Sequence, residues 1–587
     1  MPPTEPGSPA SHAADPDAEP GREPHRRSAG AVIGFTVLGV IPGIGLIAAG
    51  RRRTGAMVLV ATLVLLLLAV FYVGTSTSAV LNRVFDTTVL REAAVVAVLA
   101  AVVWSAVIVL SHRALRPVSA GVAERVGGSV LVGVLCLAVS TPLVLGANVL
   151  LTTRQTLRSV FATTHSVLTG GSVAGGSVAG GGPVASSNAT GAPTAAAHQW
   201  STRRLNILII GSDAAPDRTG TRTDSMAIAS IDTVTGKVLL VSIPRNLCRL
   251  DWKPGTALAA IYPNGWTHSN EDCVASGDGD DLINAIYNDV PIQHPDVFPP
   301  GSTDNPGADA LALGLEYSLG LPLSYYLLVD LTAFGDLVNA TGGVTVNINT
   351  PIPVGGMHDA LTGLTVTQYP TRWLMPGPNQ HLDGKNALWF ARGRFASDDY
   401  ARIDRQKCMI NAIIDQTSPT TLLTSYAALA RTLQKDVRTN IPESLLDPLA
   451  QLGLKIRLDK KLASITIRPM GPNNAGIPGL GSNDDPDWAA ARTAIAQAIA
   501  ETDPTSSTSP SPGATSSTPG VSATAVPSGS SSSPTPAPAV STTTASGADI
   551  TEDVAAGCTY DPQLAAQNLA AWKGQWGGMY DDQGKRR

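Results

Sequence analysis

The chain has 587 residues, a formal net charge of −5 and only 15% charged residues, with a mean hydropathy of +0.12. That length exceeds one typical domain. The small net charge and the lack of a basic tract exclude a nucleic-acid binder that works through an electrostatic footprint.

Residues 1–27, rich in Pro, Ala, Ser and charge, read as a disordered cytoplasmic tail. Residues 28–151 hold four uncharged apolar runs: Ser28–Gly50, Gly55–Gly74, Ala93–Ser111 and Val126–Leu151. The last three are long enough to cross a bilayer, which takes about 20 residues. The first is broken by Pro42-Gly43 and followed by Arg51-Arg52-Arg53, so it is expected to be a re-entrant hairpin. With that hairpin the positive-inside rule keeps the arginine triplet in the cytoplasm and delivers everything after residue 151 to the outer face. The expected location is the cell membrane, multi-pass, with the large domain extracytoplasmic.

Residues 152–200 form a Gly/Ser/Ala-rich linker that reads as a flexible tether. Residues 201–503 look globular. Leu205–Ile210 is a short apolar run fit for a buried strand, and Met226–Ile231 and Val238–Ile243 flank Thr235-Gly236 as neighbouring strands. Strands are also expected at Tyr325–Leu331 and Val344–Ile348, and helices at Ala308–Leu319, Thr332–Ala340, Asp383–Arg392 and Tyr400–Gln416. This mixture indicates an α/β or α+β sandwich. Residues 504–548 carry no charge and cannot bury a core, so disorder is expected there. The segment 549–587, with Cys558, Trp572 and Trp576, either docks back on the domain or frays.

The stretch from Ala391 to Gln406 concentrates Arg392, Arg394, Arg402 and Arg405 with Asp398, Asp399 and Asp404. A solvated helix face would more often interleave Lys with Glu. Arginine offers a rigid fork of donors that matches phosphate oxygens, and carboxylates beside it suit a hard metal ion. A second cluster lies upstream: Asp213, Arg218, Arg222, Asp224 and Arg245, most of them at expected strand ends. Together they point to a pyrophosphate and metal site.

The ordered segments N-I-L-I-I-G-S-D, R-T-D-S-M, S-I-P-R-N, Y-Y-L-L-V-D-L, L-D-G-K-N-A-L-W-F-A-R-G-R and D-Y-A-R-I-D-R-Q resemble the LytR-CpsA-Psr family. The resemblance implies an α/β/α sandwich with a central mixed β-sheet and an apolar lipid pocket. It implies a phosphotransferase that moves glycopolymers from a polyisoprenyl-pyrophosphate carrier to peptidoglycan and releases polyisoprenyl phosphate. Carried over residue by residue, Asp213 and Asp224 hold Mg²⁺ (or Mn²⁺). Arg218, Arg222, Arg245, Arg392, Arg394, Asp399, Arg402, Arg405 and Gln406 form the pyrophosphate site. Asp213, Asp224, Arg222, Arg245 and Arg394 are its catalytic core.

Two positions depart from the family pattern. Asn246 stands where many members have Asp, and Ala257-Leu258-Ala259 where many have Lys-x-Asn. Two rival readings stand: the same site could pass the phosphate to water, as a polyisoprenyl-pyrophosphate phosphatase, and the Asn246 and Ala257 departures could leave a non-catalytic attenuator that only binds lipid or wall. Of the five cysteines, four follow the last apolar run and are either disulfide-bonded or isolated thiols. The resemblance implies a Cys273–Cys408 bond.

Overall fold

The computed structural model describes residues 29–74, 86–115, 121–161, 165–168, 200, 202–213, 221–267, 273, 281–358, 366–395, 397–417, 437–459, 461–470, 476–503 and 550–587. The chain divides into two compact units, 1–75 with 91–150 and 76–90 with 151–587. The expected tails at 1–27 and 504–548 and most of the Gly-rich linker lie outside the described residues.

In the first unit the run 28–50 forms two short helices, Ala29–Leu38 and Ile44–Ala48. They break where the sequence has Pro42-Gly43, and Gly43 adopts a φ of 99°. A Cβ there would stand 2.4 Å from the Gly55 carbonyl oxygen, so only glycine fits the turn. Trp104 Nε1 donates to the Val40 carbonyl at 2.7 Å and ties this hairpin to the long helix Thr87–Leu115. Two helical stretches, Thr87–Leu115 and Arg125–Ser159, are long and apolar enough to cross a membrane. A further apolar helix spans Arg52–Gly74.

The second unit is built on a seven-stranded mixed sheet. Its strands are β1 (Arg204–Ser212), β2 (Thr223–Asp232), β3 (Val238–Ile243), β4 (Tyr325–Val329), β9 (Val437–Thr439), β10 (Leu462–Thr466) and β11 (Glu552–Asp553). Their spatial order is β11-β10-β3-β2-β1-β4-β9. β1 pairs parallel with β4, and β3 with β10, while β1–β2 and β2–β3 are antiparallel. The period of two along a strand explains the continuous apolar run of β3, which is buried on both faces. Leu239 and Val241 join Leu208, Ile210 and Ile228 under helices Pro306–Leu319 and Trp488–Thr502. Val238 and Leu240 join Leu205 and Tyr325 against Leu445, Leu452 and Val554 on the opposite face. The result is the expected α/β/α sandwich.

Two small sheets flank this core: β5 (Val344–Ile348) with β8 (Gly377–Leu382), and the hairpin of β6 (Ile352–His358) and β7 (Val366–Leu374). They share a third core with helices Leu331–Ala340, Gly384–Arg392 and Asp399–Gln416, centred on Val346, Ile352, Phe390 and Met409.

The disulfides are Cys248–Cys273 and Cys408–Cys558. The expected Cys273–Cys408 bond is therefore corrected. Cys273 closes a local loop on Cys248, whereas Cys408 is taken by the C-terminal segment, which docks on the domain. There Trp572 and Tyr580 bury against Trp373 and Phe395.

Candidate active site

The carboxyl ends of the parallel strands β1, β3 and β10 and the start of β2 lie along one end of the sheet. Asp213 follows β1, Arg222 precedes β2, Arg245 follows β3 and Arg468 follows β10. This is where open α/β sheets collect ligands. The β1–β2 ladder shifts register between Gly211 and Ser212, which face Ser225 and Thr223. Asp224 is therefore the extra residue of a β-bulge, a device that re-aims a side chain.

Arg245 bridges two carboxylates. Its Nη1 lies 2.5 Å from Asp224 Oδ1 and its Nε donates to Asp399 Oδ2 at 3.1 Å. Asp399 also faces Arg394 Nη1 at 3.4 Å and Arg402 Nη1 at 3.5 Å. Arg402 Nη2 donates to the Asp224 carbonyl oxygen at 2.9 Å. One carboxylate thus gathers three guanidiniums that come from the end of β3, from the 393–395 loop and from the helix beginning at Asp399. Burial pulls the Arg245 guanidinium down, but Asp224 and Asp399 outweigh it and its pKa is raised. Burial dominates at Arg402, whose pKa is lowered despite Asp399. The Nε of Arg402 is buried without a hydrogen-bond partner, as is Oδ1 of Asn246. Both atoms belong to residues that border the Asp399 cluster.

The remaining predicted residues take different places. Asp213 Oδ1 accepts from the Arg222 backbone N–H at 2.8 Å. Arg405 Nε donates to the Phe390 carbonyl at 2.8 Å and its Nη2 to the Gly393 carbonyl. Arg405 therefore braces the turn that carries Arg392 and Arg394, and burial lowers its pKa to about 10. Gln406 accepts from Ser225 Oγ at 3.0 Å and donates to the Ala391 carbonyl at 3.2 Å, locking helix to strand. Arg392 stacks 5.1 Å over the Trp389 ring. Arg218 lies outside the described residues.

The three aspartates of the site helix separate in role. Asp398 caps it by accepting from the Ala401 N–H at 2.7 Å. Asp404 pairs with Lys407 at 2.8 Å. Only Asp399 enters the cluster.

Sequence reasoning missed Arg468 and Tyr400. Tyr400 donates to Asn483 Oδ1 at 3.0 Å, and Arg468 sits 5.7 Å over its ring. Arg468 follows an ordinary strand and belongs to no motif, so only the parallel pairing of β10 with β3 could have found it.

A cavity of about 740 Å³ is walled by Trp252, Ala257, Leu258, Phe298, Leu313 and others, none of them from the arginine cluster. Ala257, which stands at the Lys position of Lys-x-Asn, thus lines this largely apolar space. The only carboxylate–thiol trio close enough for a cation among the described residues is Cys248, Cys273 and Asp484, and its two cysteines are disulfide-bonded. Asp213, just after β1, and Asp224, in the bulge of β2, lie at the same end of the sheet, and each carries carboxylate oxygens of the type that hard divalent ions take.

A model of the LytR_cpsA_psr family matches residues 182–478. The chain belongs to the LytR-CpsA-Psr family. Curated relatives of this family member include the polyisoprenyl-teichoic acid–peptidoglycan teichoic acid transferase TagU of Bacillus mycoides, 26% identical over 241 residues, or 41% of this chain and 61% of that protein. TagU of Oceanobacillus iheyensis is 27% identical over 248 residues, covering 42% and 61%. The chain thus spans about three fifths of the length of these relatives. Among solved structures, Bacillus subtilis TagV is 22% identical with a TM-score of 0.33, covering 51% of this LytR-CpsA-Psr protein and 97% of TagV. The LytR-Csp2A-Psr enzyme from Actinomyces oris is 18% identical with a TM-score of 0.31, covering 50% and 89%.

Proposed function

We propose that this family member is a membrane-anchored phosphotransferase. It would move a glycopolymer from a polyisoprenyl-pyrophosphate carrier to peptidoglycan on the outer face of the membrane. The observation that carries this reading is the gathering of Arg245, Arg394 and Arg402 on Asp399 at the end of the sheet. In the reaction an acceptor hydroxyl oxygen bonds to the glycan-proximal phosphorus and its proton passes to a general base, for which a site aspartate carboxylate is the candidate. The bond from that phosphorus to the bridging oxygen breaks, and polyisoprenyl phosphate leaves with the negative charge. Guanidiniums already fixed by carboxylates stabilise that charge without reorganising. Asp213 and Asp224 would hold Mg²⁺ (or Mn²⁺), which when bound would neutralise pyrophosphate charge. Asn246 Oδ1, buried and unpartnered, offers a hydrogen-bond acceptor beside Arg245.

The test uses the full chain in detergent with a polyisoprenyl-pyrophosphate sugar, with Mg²⁺ or EDTA, and with or without a glycan acceptor. Transfer that needs both metal and acceptor, and that falls by about 100-fold or more in Arg394→Ala and Asp224→Ala, is the expected result. Release of polyisoprenyl phosphate without acceptor would make the protein a phosphatase. Carrier binding without turnover would make it an attenuator and direct attention to Asn246 and Ala257. A periplasmic reporter fused after Trp200 should be active; silence would overturn the outer-face placement.

A further inference from the structure

The C-terminal segment reaches the arginine site from both sides. It enters beside helix Trp488–Thr502, where the Ile550 N–H and Thr551 Oγ1 donate to the Glu501 carboxylate at 3.4 and 2.9 Å. It adds β11 to the edge of the main sheet, with Glu552 opposite Ser464. The Glu552 carboxylate accepts from Lys407 Nζ at 2.8 Å and lies 3.7 Å from Arg468 Nη2. Lys407 is buried on the site helix, one residue past Gln406. Cys558 is then bonded to Cys408, the next residue of that helix.

Beyond the disulfide the segment crosses β5. Asn347 and Asn349 donate to the carbonyls of Cys558 and Thr559 at 3.0 and 2.8 Å. Helix Pro562–Trp576 then reaches the β6–β7 hairpin. Trp576 lies 5.6 Å from the Phe395 ring, Trp572 lies 5.8 Å from Trp373, and Tyr580 donates to the Pro370 carbonyl at 2.6 Å. Phe395 directly follows Arg394. The segment therefore grips the chain at Phe395 and at Lys407–Cys408; Asp399, Arg402 and Arg405 lie between the grips and Arg394 directly precedes the first.

We propose that residues 550–587 act as a strap that positions the arginine-bearing stretch 394–408, with the Cys408–Cys558 bond as its latch. The strap touches none of the guanidiniums of the Asp399 cluster; it acts through Phe395, Lys407 and Cys408. Its effect on turnover rests on the proposed transfer reaction, whereas its effect on the stretch itself does not.

The test inserts a protease site among residues 504–548 of the full chain in detergent micelles and reads both turnover and deuterium exchange. Cut protein with the latch intact should match uncut protein in both. In the Cys408→Ser, Cys558→Ser variant the strap can be washed away after cutting. Exchange should then rise over 392–408 and stay unchanged over β1–β4. The kcat should fall about 100-fold, the size expected when reacting groups shift by about an ångström, with a smaller change in KM. Adding the 550–587 peptide carrying Cys558→Ser should restore both. Unchanged exchange over 392–408 in the strap-free protein would overturn the proposal. So would a uniform rise that includes β1–β4, because the segment would then be a general part of the fold. If uncut protein shows no turnover, the transfer reading fails while the exchange data still judge the strap.

Discussion

Arg245 shows how one side chain can organise a site. Its planar fork places separate N–H groups on Asp224 and Asp399, which a lysine ammonium cannot span in the same way. Arg245→Lys should keep the charge yet lower kcat/KM for carrier turnover by about 100-fold or more. A second residue tests the turn at the far end of the sheet. Asp232 is fully buried and accepts from the Val234 and Thr235 N–H groups at 2.9 and 2.8 Å and from Arg203 Nε at 3.1 Å. Burial pushes its pKa up, but the bonds from Thr235, Arg203 and Val234 outweigh that and hold it below the ordinary value. The stability it contributes is therefore complete above the unfolded-state pKa and is lost as pH falls through the lower folded-state value. Asp232→Asn should cost about 1–3 kcal/mol at neutral pH, and the gap between the melting curves of mutant and parent should begin to narrow only below about pH 4 and close at still lower pH. The two arginine clusters are legible in sequence because each sits beside a strand end or a motif. The roles of Asp398, Asp399 and Asp404 are not, because each helical step turns a side chain by about 100°. Cap, hub and surface partner differ only by that rotation.

At the level of elements, the site depends on how the 384–392 helix gives way to the 399–416 helix. Gly393 lies between Arg392 and Arg394, and a Cβ there would stand 2.7 Å from the Pro353 carbonyl oxygen. Its φ of −58° needs no glycine, so the constraint is close approach to β6 and not backbone conformation. Gly393→Ala should push this turn off the hairpin, lowering the melting temperature by a few degrees, about 1–3 kcal/mol of overpacking. It should also weaken pyrophosphate binding measured by calorimetry. Sequence reasoning places strands β1 to β5 and the site helices well, because their apolar period is strong. The β6–β7 hairpin is less legible: Gly355, Gly356 and Pro370 interrupt the alternation that marks a strand.

Across the second unit, the residues that bound each low-complexity stretch pack on the same domain. Leu168 belongs to the main core and Trp200 packs on the opposite face. Residues 504–549 behave alike, since Asp503 pairs with Arg203 at 2.8 Å and Ile550 returns to Glu501. Replacing 504–549 with a short Gly-Ser connection should not lower the melting temperature, because closing a shorter loop costs less entropy. A lower value would show that the stretch carries structure. The docking of 550–587 is the least legible part of the molecule. Its composition allows docking or fraying equally, and its partners on the site helix and the β6–β7 hairpin lie more than a hundred residues upstream.

The Cys408–Cys558 bond joins residues 150 positions apart. At translation rates of about 5–20 residues per second, the strap is synthesised roughly ten to thirty seconds after the helix it holds. Every arginine of the cluster has been made well before the residue that latches their helix. A nascent or truncated chain would therefore carry the full set of charged groups without the geometry that makes them effective. On the proposed strap, a positioned site follows its arginines in time rather than arriving with them.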